Sequence, residues 1–99
     1  ARLVARNARI DGDIEATRHR SVVVRGGSVD GDIELKRGRA ATIRAVAIDG
    51  DLESYSNRGV QTFRANRIDG DLECRYNRPA PRGGGNVVDG DKEDQCRRL

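Results

Sequence analysis

Tryptophan and methionine are absent from this 99-residue chain, phenylalanine occurs once and tyrosine twice, so aromatics make up 3% of it. That leaves few rings to fill a globular core and few to stack on nucleic-acid bases. No apolar run approaches the ~20 residues of a membrane-spanning helix, so no membrane span is expected. Helix itself is disfavoured: no apolar stripe runs at i, i+3, i+4, and glycine or β-branched residues interrupt every window. The one histidine, His19, stands between Arg18 and Arg20 in what reads as an exposed turn. No nucleophile is placed to use it, and an enzyme is not expected.

What the chain has instead is repetition. Residues 10–15, 29–34, 48–53, 68–73 and 88–93 write one phrase, apolar-Asp-Gly-Asp-x-Glu, at spacings of 19, 19, 20 and 20 residues. A fixed period near twenty is the mark of stacked supersecondary units. Within the phrase, apolar residues or glycine alternate with acidic ones, as in a strand with one buried face. Hydrophobic residues are only 35% of the chain. A repeat stack manages with that, because each unit buries its face against its neighbours.

Sliding by the repeat length lays out columns. Ile10, Val29, Ile48, Ile68 and Val88 form one inward column, and Ile14, Ile33, Leu52 and Leu72 form another that Lys92 breaks. Gly12, Gly31, Gly50, Gly70 and Gly90 read as a glycine column on the same face. A second strand precedes each phrase, with Ala5, Val24, Ile43 and Phe63 inward and Arg6, Arg25, Arg44 and Arg64 outward. The rest of each coil is turn chemistry, with a further corner at Asn7, Gly26-Gly27, Ala45 and Asn66. The expected fold is all-β: a single-domain parallel β-solenoid over residues 1–99, about five coils of 19–20 residues, with two strands per coil, right-handed, and closed by segment 74–99.

Charge is sorted by position. All sixteen acidic residues lie in or directly after the phrase, while of nineteen Lys and Arg only Lys92 falls inside it. Alternation places three carboxylate columns outward: Asp11, Asp30, Asp49, Asp69, Asp89; then Asp13, Asp32, Asp51, Asp71, Asp91; then Glu15, Glu34, Glu53, Glu73, Glu93. Like charges one rung apart, ~4.8 Å, repel by roughly 1 kcal/mol per pair even in a water-like dielectric. Cations along the face, arginines from a neighbouring molecule, or Arg6, Arg25, Arg44, Arg64, Arg9 and Arg67 of the chain itself would offset this. No specific metal site is expected, since the twelve-position EF-hand series and the Gly-Gly-x-Gly-x-Asp calcium repeat are both missing. Nucleic acid and other polyanions are disfavoured, because the acidic face repels a wrapping strand and base-stacking aromatics are scarce. Cys74 and Cys96 lie about one coil apart; a bridge implies an oxidising compartment, and two reduced thiols in a bacterial cytosol is the alternative.

The repeated apolar-x-Gly-Asp-[Ile/Leu] rungs over residues 10–93 resemble the β-solenoids of bactofilin-type polymer-forming proteins, whose coils carry recurrent Gly-Asp-Val units. That resemblance implies end-to-end polymerisation, in the cytosol. The run Pro79-Ala80-Pro81-Arg82-Gly83-Gly84-Gly85-Asn86-Val87-Val88, with Gly90-Asp91-Lys92-Glu93-Asp94-Gln95-Cys96, is similar to the tail of small secreted bacterial β-solenoid proteins of uncharacterised function. These typically have Asn where this chain has Asp after the rung glycine, and the likeness implies secretion or the cell surface without an activity.

The functional expectation is a non-enzymatic, self-assembling extracellular protein, a homo-oligomer or polymer without a small-molecule substrate. It would form filaments or a lattice by end-to-end coil stacking through an open N-terminal coil and by acidic-face to arginine-face contacts. The alternative is a binding module whose acidic columns take up Ca²⁺ or another cation.

Overall fold

Alternating burial makes each apolar column of the sequence a continuous wall when coils stack, and the computed structural model, which describes residues 2–99, is built in that way. The first coil holds β1 (Arg2–Ile10) and β2 (Ile14–Thr17), and the second β3 (Ser21–Val29) and β4 (Ile33–Lys36). The third comprises β5 (Ala40–Arg44), β6 (Ala47–Ile48) and β7 (Leu52–Tyr55). β8 (Gln61–Arg64), β9 (Arg67–Ile68) and β10 (Leu72–Arg75) make the fourth, and β11 (Arg82–Gly84), β12 (Val87–Val88) and β13 (Lys92–Asp94) the fifth. Every pairing is parallel and joins a residue to its equivalent one coil away, as in Val24↔Ile43, Val29↔Ile48 and Ile33↔Leu52. The fold is the expected single-domain parallel β-solenoid, without helix among the described residues.

Each coil is three-sided rather than two-sided. The corner expected before the phrase falls at Asn7, Gly26, Ala45, Ala65 and Gly85, which adopt φ of 50°, 69°, 55°, 57° and 66°. In this column Ala65 takes the bend where Asn66 was expected, and Asn66 turns inward instead. A second corner falls on Asp-Gly-Asp itself, between β1 and β2 and their equivalents. The third is formed by Arg18, Arg37, Ser56 and Tyr76 at φ between 54° and 59°. A left-handed residue costs a non-glycine side chain roughly 1–2 kcal/mol, so repeated use of one needs repeated support at the same corner. Buried asparagines supply it in the later coils.

Inside the prism, Val22, Val24, Val29, Ile33, Leu35, Ile43, Ile48, Leu52, Phe63, Ile68 and Leu72 are all buried. Each such side chain contributes about 1.5–3 kcal/mol of transfer free energy. The two ends differ. At the C-terminal end the turn after β13 folds back, Leu99 joins the core, and its carbonyl accepts from Asn86 N and Nδ2 at 3.1 and 2.9 Å. Cys74 and Cys96 are joined by a disulfide, with Cα atoms 5.4 Å apart, and Lys92 stacks half-buried on Leu72. At the other end β1 and β2 each pair on one side only, and Leu3 and Val4 are 37% and 60% exposed.

Candidate functional site

The acidic phrase is a corner, and that changes what its carboxylates do. Oδ1 of Asp13 accepts from the backbone N–H of Asp32 at 2.7 Å. Asp32, Asp51 and Asp71 repeat the contact with the N–H groups of Asp51, Asp71 and Asp91 at 2.7, 2.7 and 2.8 Å. The middle column is therefore a hydrogen-bonded ladder that ties each coil to the next, rather than a free charged surface. The rung glycines make room for it. They do not face the core, as alternation along a straight strand implies; a Cβ at Gly31, Gly50, Gly70 or Gly90 would lie 1.8–2.0 Å from the aspartate Oδ1 of the coil before. A Cβ at Gly12, in the first described coil, would meet nothing within 4 Å.

The first column, Asp11, Asp30, Asp49, Asp69 and Asp89, is exposed along the second corner. The third column, Glu15 to Glu93, stands on the outer face of β2, β4, β7, β10 and β13, with its members paired in register. Crowding is visible in its titration. Burial first, then the charges of Glu34 and Glu73, pushes Glu53 above the usual carboxylate range. Hydrogen bonding to Glu73 is the main cause that pushes Glu93 up to about 7, with burial and the charges of Glu73, Asp71 and Asp91 adding to it. Glu73 is held low by Glu93 and by the Tyr55 hydroxyl, which donates to it. Among the described residues no group of three His, Cys, Asp or Glu is placed to hold a metal ion.

Apart from Arg9 beside Asp11, the arginines do not neutralise these columns within the chain. Ion pairs among the described residues are Arg9–Asp11 at 3.9 Å, Lys36–Glu34 at 4.0 Å and Arg75–Asp94 at 2.7 Å, all at the surface. Arg6, Arg25, Arg44 and Arg64 form an exposed column in register on the first side of the prism and pair with no carboxylate there. The expected local help from this column is absent because the second side of the coil separates it from the acidic corner, and Arg67 makes no ion pair either. Arg20, Arg39, Arg58 and Arg78 form a further exposed column at the third corner.

His19 is not an exposed turn residue. It is 3% exposed, its ring stacks on Gly38, where a Cβ would lie 2.2 Å from it, and neither ring nitrogen has a hydrogen-bond partner. Burial lowers its pKa.

Sequence reasoning also passed over two interior ladders. Oδ1 of Asn66 accepts from Val46 N and Oδ1 of Asn86 accepts from Asn66 N, each at 3.0 Å. At the third corner Asn57 accepts from Gly38 N at 2.8 Å, Asn77 from Asn57 N at 3.0 Å, and Gln95 ends the series by accepting from Asn77 N at 2.9 Å. Ser54 and Gln61 hydrogen-bond to each other and to Asn77, so the core beneath this corner is polar but satisfied. The signal was present, as asparagine recurring at a 20-residue spacing. The chain matches no protein-family model, no curated protein and no solved structure, and none of these comparisons supports a likeness to bactofilin-type or secreted bacterial solenoids.

Proposed function

We propose that this protein is a non-enzymatic structural component that assembles with copies of itself outside the cell, in filaments or a lattice. One observation carries the reading. The Arg6–Arg25–Arg44–Arg64 column and the exposed Asp11–Asp30–Asp49–Asp69–Asp89 column share one rung spacing and leave each other unpaired within the chain. A single exposed ion pair is worth ~0–1 kcal/mol, yet a ladder of them in register adds up as a multivalent contact between neighbours. The unpaired edges of β1 and β2, with Leu3 and Val4 exposed, offer backbone groups and apolar surface for stacking through the first coil. A disulfide supports an oxidising, extracellular setting.

Light scattering and electron microscopy across a salt series, with Ca²⁺ or with EDTA, test this. Charge-ladder assembly grows at low salt, dissolves as salt rises and ignores EDTA. Leu3→Lys with Ala5→Asp blocks the end-on contact and leaves the lateral one. Loss of order on chelation, with stoichiometric Ca²⁺ uptake, would favour a cation-binding module instead. A protein that stays monomeric at low salt and high concentration refutes assembly.

A further inference from the structure

The arginines of the third corner are not spread over a convex surface. They line an open groove of about 1250 Å³ that runs from the second coil to the fifth. Arg39, Arg58 and Arg78, from successive coils, line it together with Arg37, Arg75 and Tyr76. The third corner aligns these side chains because each left-handed residue turns the chain at the same point of every coil. The groove's one carboxylate, Asp94, is already held by Arg75 at 2.7 Å. Arg37, Arg39, Arg58 and Arg78 have no acidic partner among the described residues. Such a concentration of unpaired guanidinium groups repels itself unless anions lie in it.

We infer that this groove binds a linear acidic polysaccharide, one whose sugar rings carry carboxylate or sulfate groups in series along the chain. Guanidinium forks pair such oxyanions bidentately, and the arginine rungs repeat every ~4.8 Å along the axis. Tyr76 is 78% exposed at the groove's edge and offers a flat face to a sugar ring. Sequence reasoning disfavoured polyanions because acidic columns repel a strand that wraps the prism. The groove narrows that objection to the Glu column on the adjoining side, since a slender polymer lying along the third corner stays off the Asp corner and does not wrap the prism. Nucleic acid fits less well: a single tyrosine lines the groove, whereas single strands need an aromatic for successive bases. The arginines concerned are not those of the proposed assembly contact, so the two readings stand or fall separately.

Isothermal titration with polygalacturonate and with dextran sulfate tests the site. Uncharged dextran is the control, and a single-stranded deoxyoligonucleotide is the rival. Both acidic glycans bind, more weakly as salt rises, and uncharged dextran does not. Arg39→Ala/Arg58→Ala/Arg78→Ala lowers affinity by at least about tenfold, while Arg67→Ala/Arg82→Ala/Arg98→Ala, which removes equal charge at exposed positions outside both the groove and the assembly contact, leaves it within about twofold. Equal loss in both triple variants, or no loss in the first, overturns the groove as the site. Oligonucleotide binding as tight as glycan binding overturns the ligand. Circular dichroism checks that the variants fold; should the alanine triple not fold, Arg39→Lys/Arg58→Lys/Arg78→Lys keeps the charge and loses the planar fork. Severalfold weaker binding by that variant supports the assignment, and unchanged binding refutes it.

Discussion

Asn66→Ala removes one side chain, and its cost can be worked from contacts. Asn66 is buried; its Oδ1 accepts from Val46 N at 3.0 Å, and its Nδ2 donates to the Ile43 carbonyl at 2.9 Å and to Asn86 Oδ1 at 3.0 Å. Truncation leaves the buried Val46 N–H without an acceptor, at about 1–3 kcal/mol, and strips two acceptors of a donor, at about 0.5–1.5 kcal/mol each. The sum is roughly 2–6 kcal/mol, against the 5–15 kcal/mol that holds a typical domain together. With a urea m-value of ~2 kcal/mol/M, the midpoint should fall by roughly 1–3 M. Far-UV circular dichroism during urea titration reads this directly, and Arg44→Ala, an exposed neighbour, should change stability by less than about 0.5 kcal/mol. Asn66→Asp keeps the acceptor and loses the donor, so it should be most damaging at neutral pH and recover in acid, where a protonated carboxyl donates again. An Asn66→Ala midpoint indistinguishable from wild type would refute the idea that the interior ladder holds the left-handed corner.

Three further outcomes are expected. Replacing Cys74 and Cys96 by serine opens a loop of 22-residue separation and should cost about 3 kcal/mol on the chain-entropy account, seen as a lower melting temperature that reductant does not lower further. Glu93 has a folded-state pKa raised from 4.5 to about 7, so the stability it contributes is fully present below pH 4.5 and is lost as pH rises to about 7. Glu93→Gln should flatten the melting temperature across that window, and an unaltered pH profile would count against the shared proton. Gly50→Ala sets a methyl 1.9 Å from Asp32 Oδ1 and 2.9 Å from the Gly31 carbonyl, and should destabilise by about 1–3 kcal/mol where Gly12→Ala does not.

The inward columns and the parallel register were legible because each follows from a single period applied to residue type, whereas the cysteines, 22 residues apart, were left open between a bridge and free thiols. Ile48 and Leu52 had to stack on their equivalents once the phrase was seen five times. Corners were harder. Apolar-Asp-Gly-Asp-apolar alternates through a bend as regularly as along a straight strand, so periodicity could not separate the structural Asp13 ladder from the exposed Asp11 column. His19 was misplaced for a related reason: flanking arginines describe its neighbours' exposure, whereas its own inward direction is set by the left-handed residue before it, Arg18. Asn57 and Asn77 carried a turn-forming chemistry that explained them well enough to hide their interior role. The arginine groove depends on which sides of the prism adjoin, which a column layout of the sequence leaves open.

Partners throughout the fold lie 19 or 20 residues apart, a constancy that bears on how the chain finds its phase. Dividing 20 by 99 gives a relative contact order of about 0.2, in the slow range for two-state folding, and added coils would lower it without lengthening any single closure. Skipping a coil doubles the closing loop and costs only ~0.6 kcal/mol more in entropy, so near-identical rungs alone discriminate poorly against mispairing. What breaks the degeneracy is the irregular residues. His19 fits over Gly38, a Cβ at Gly83 would lie 1.8 Å from the Phe63 carbonyl, and Cys74 reaches Cys96 and no other cysteine. The exceptions to the repeat number its coils.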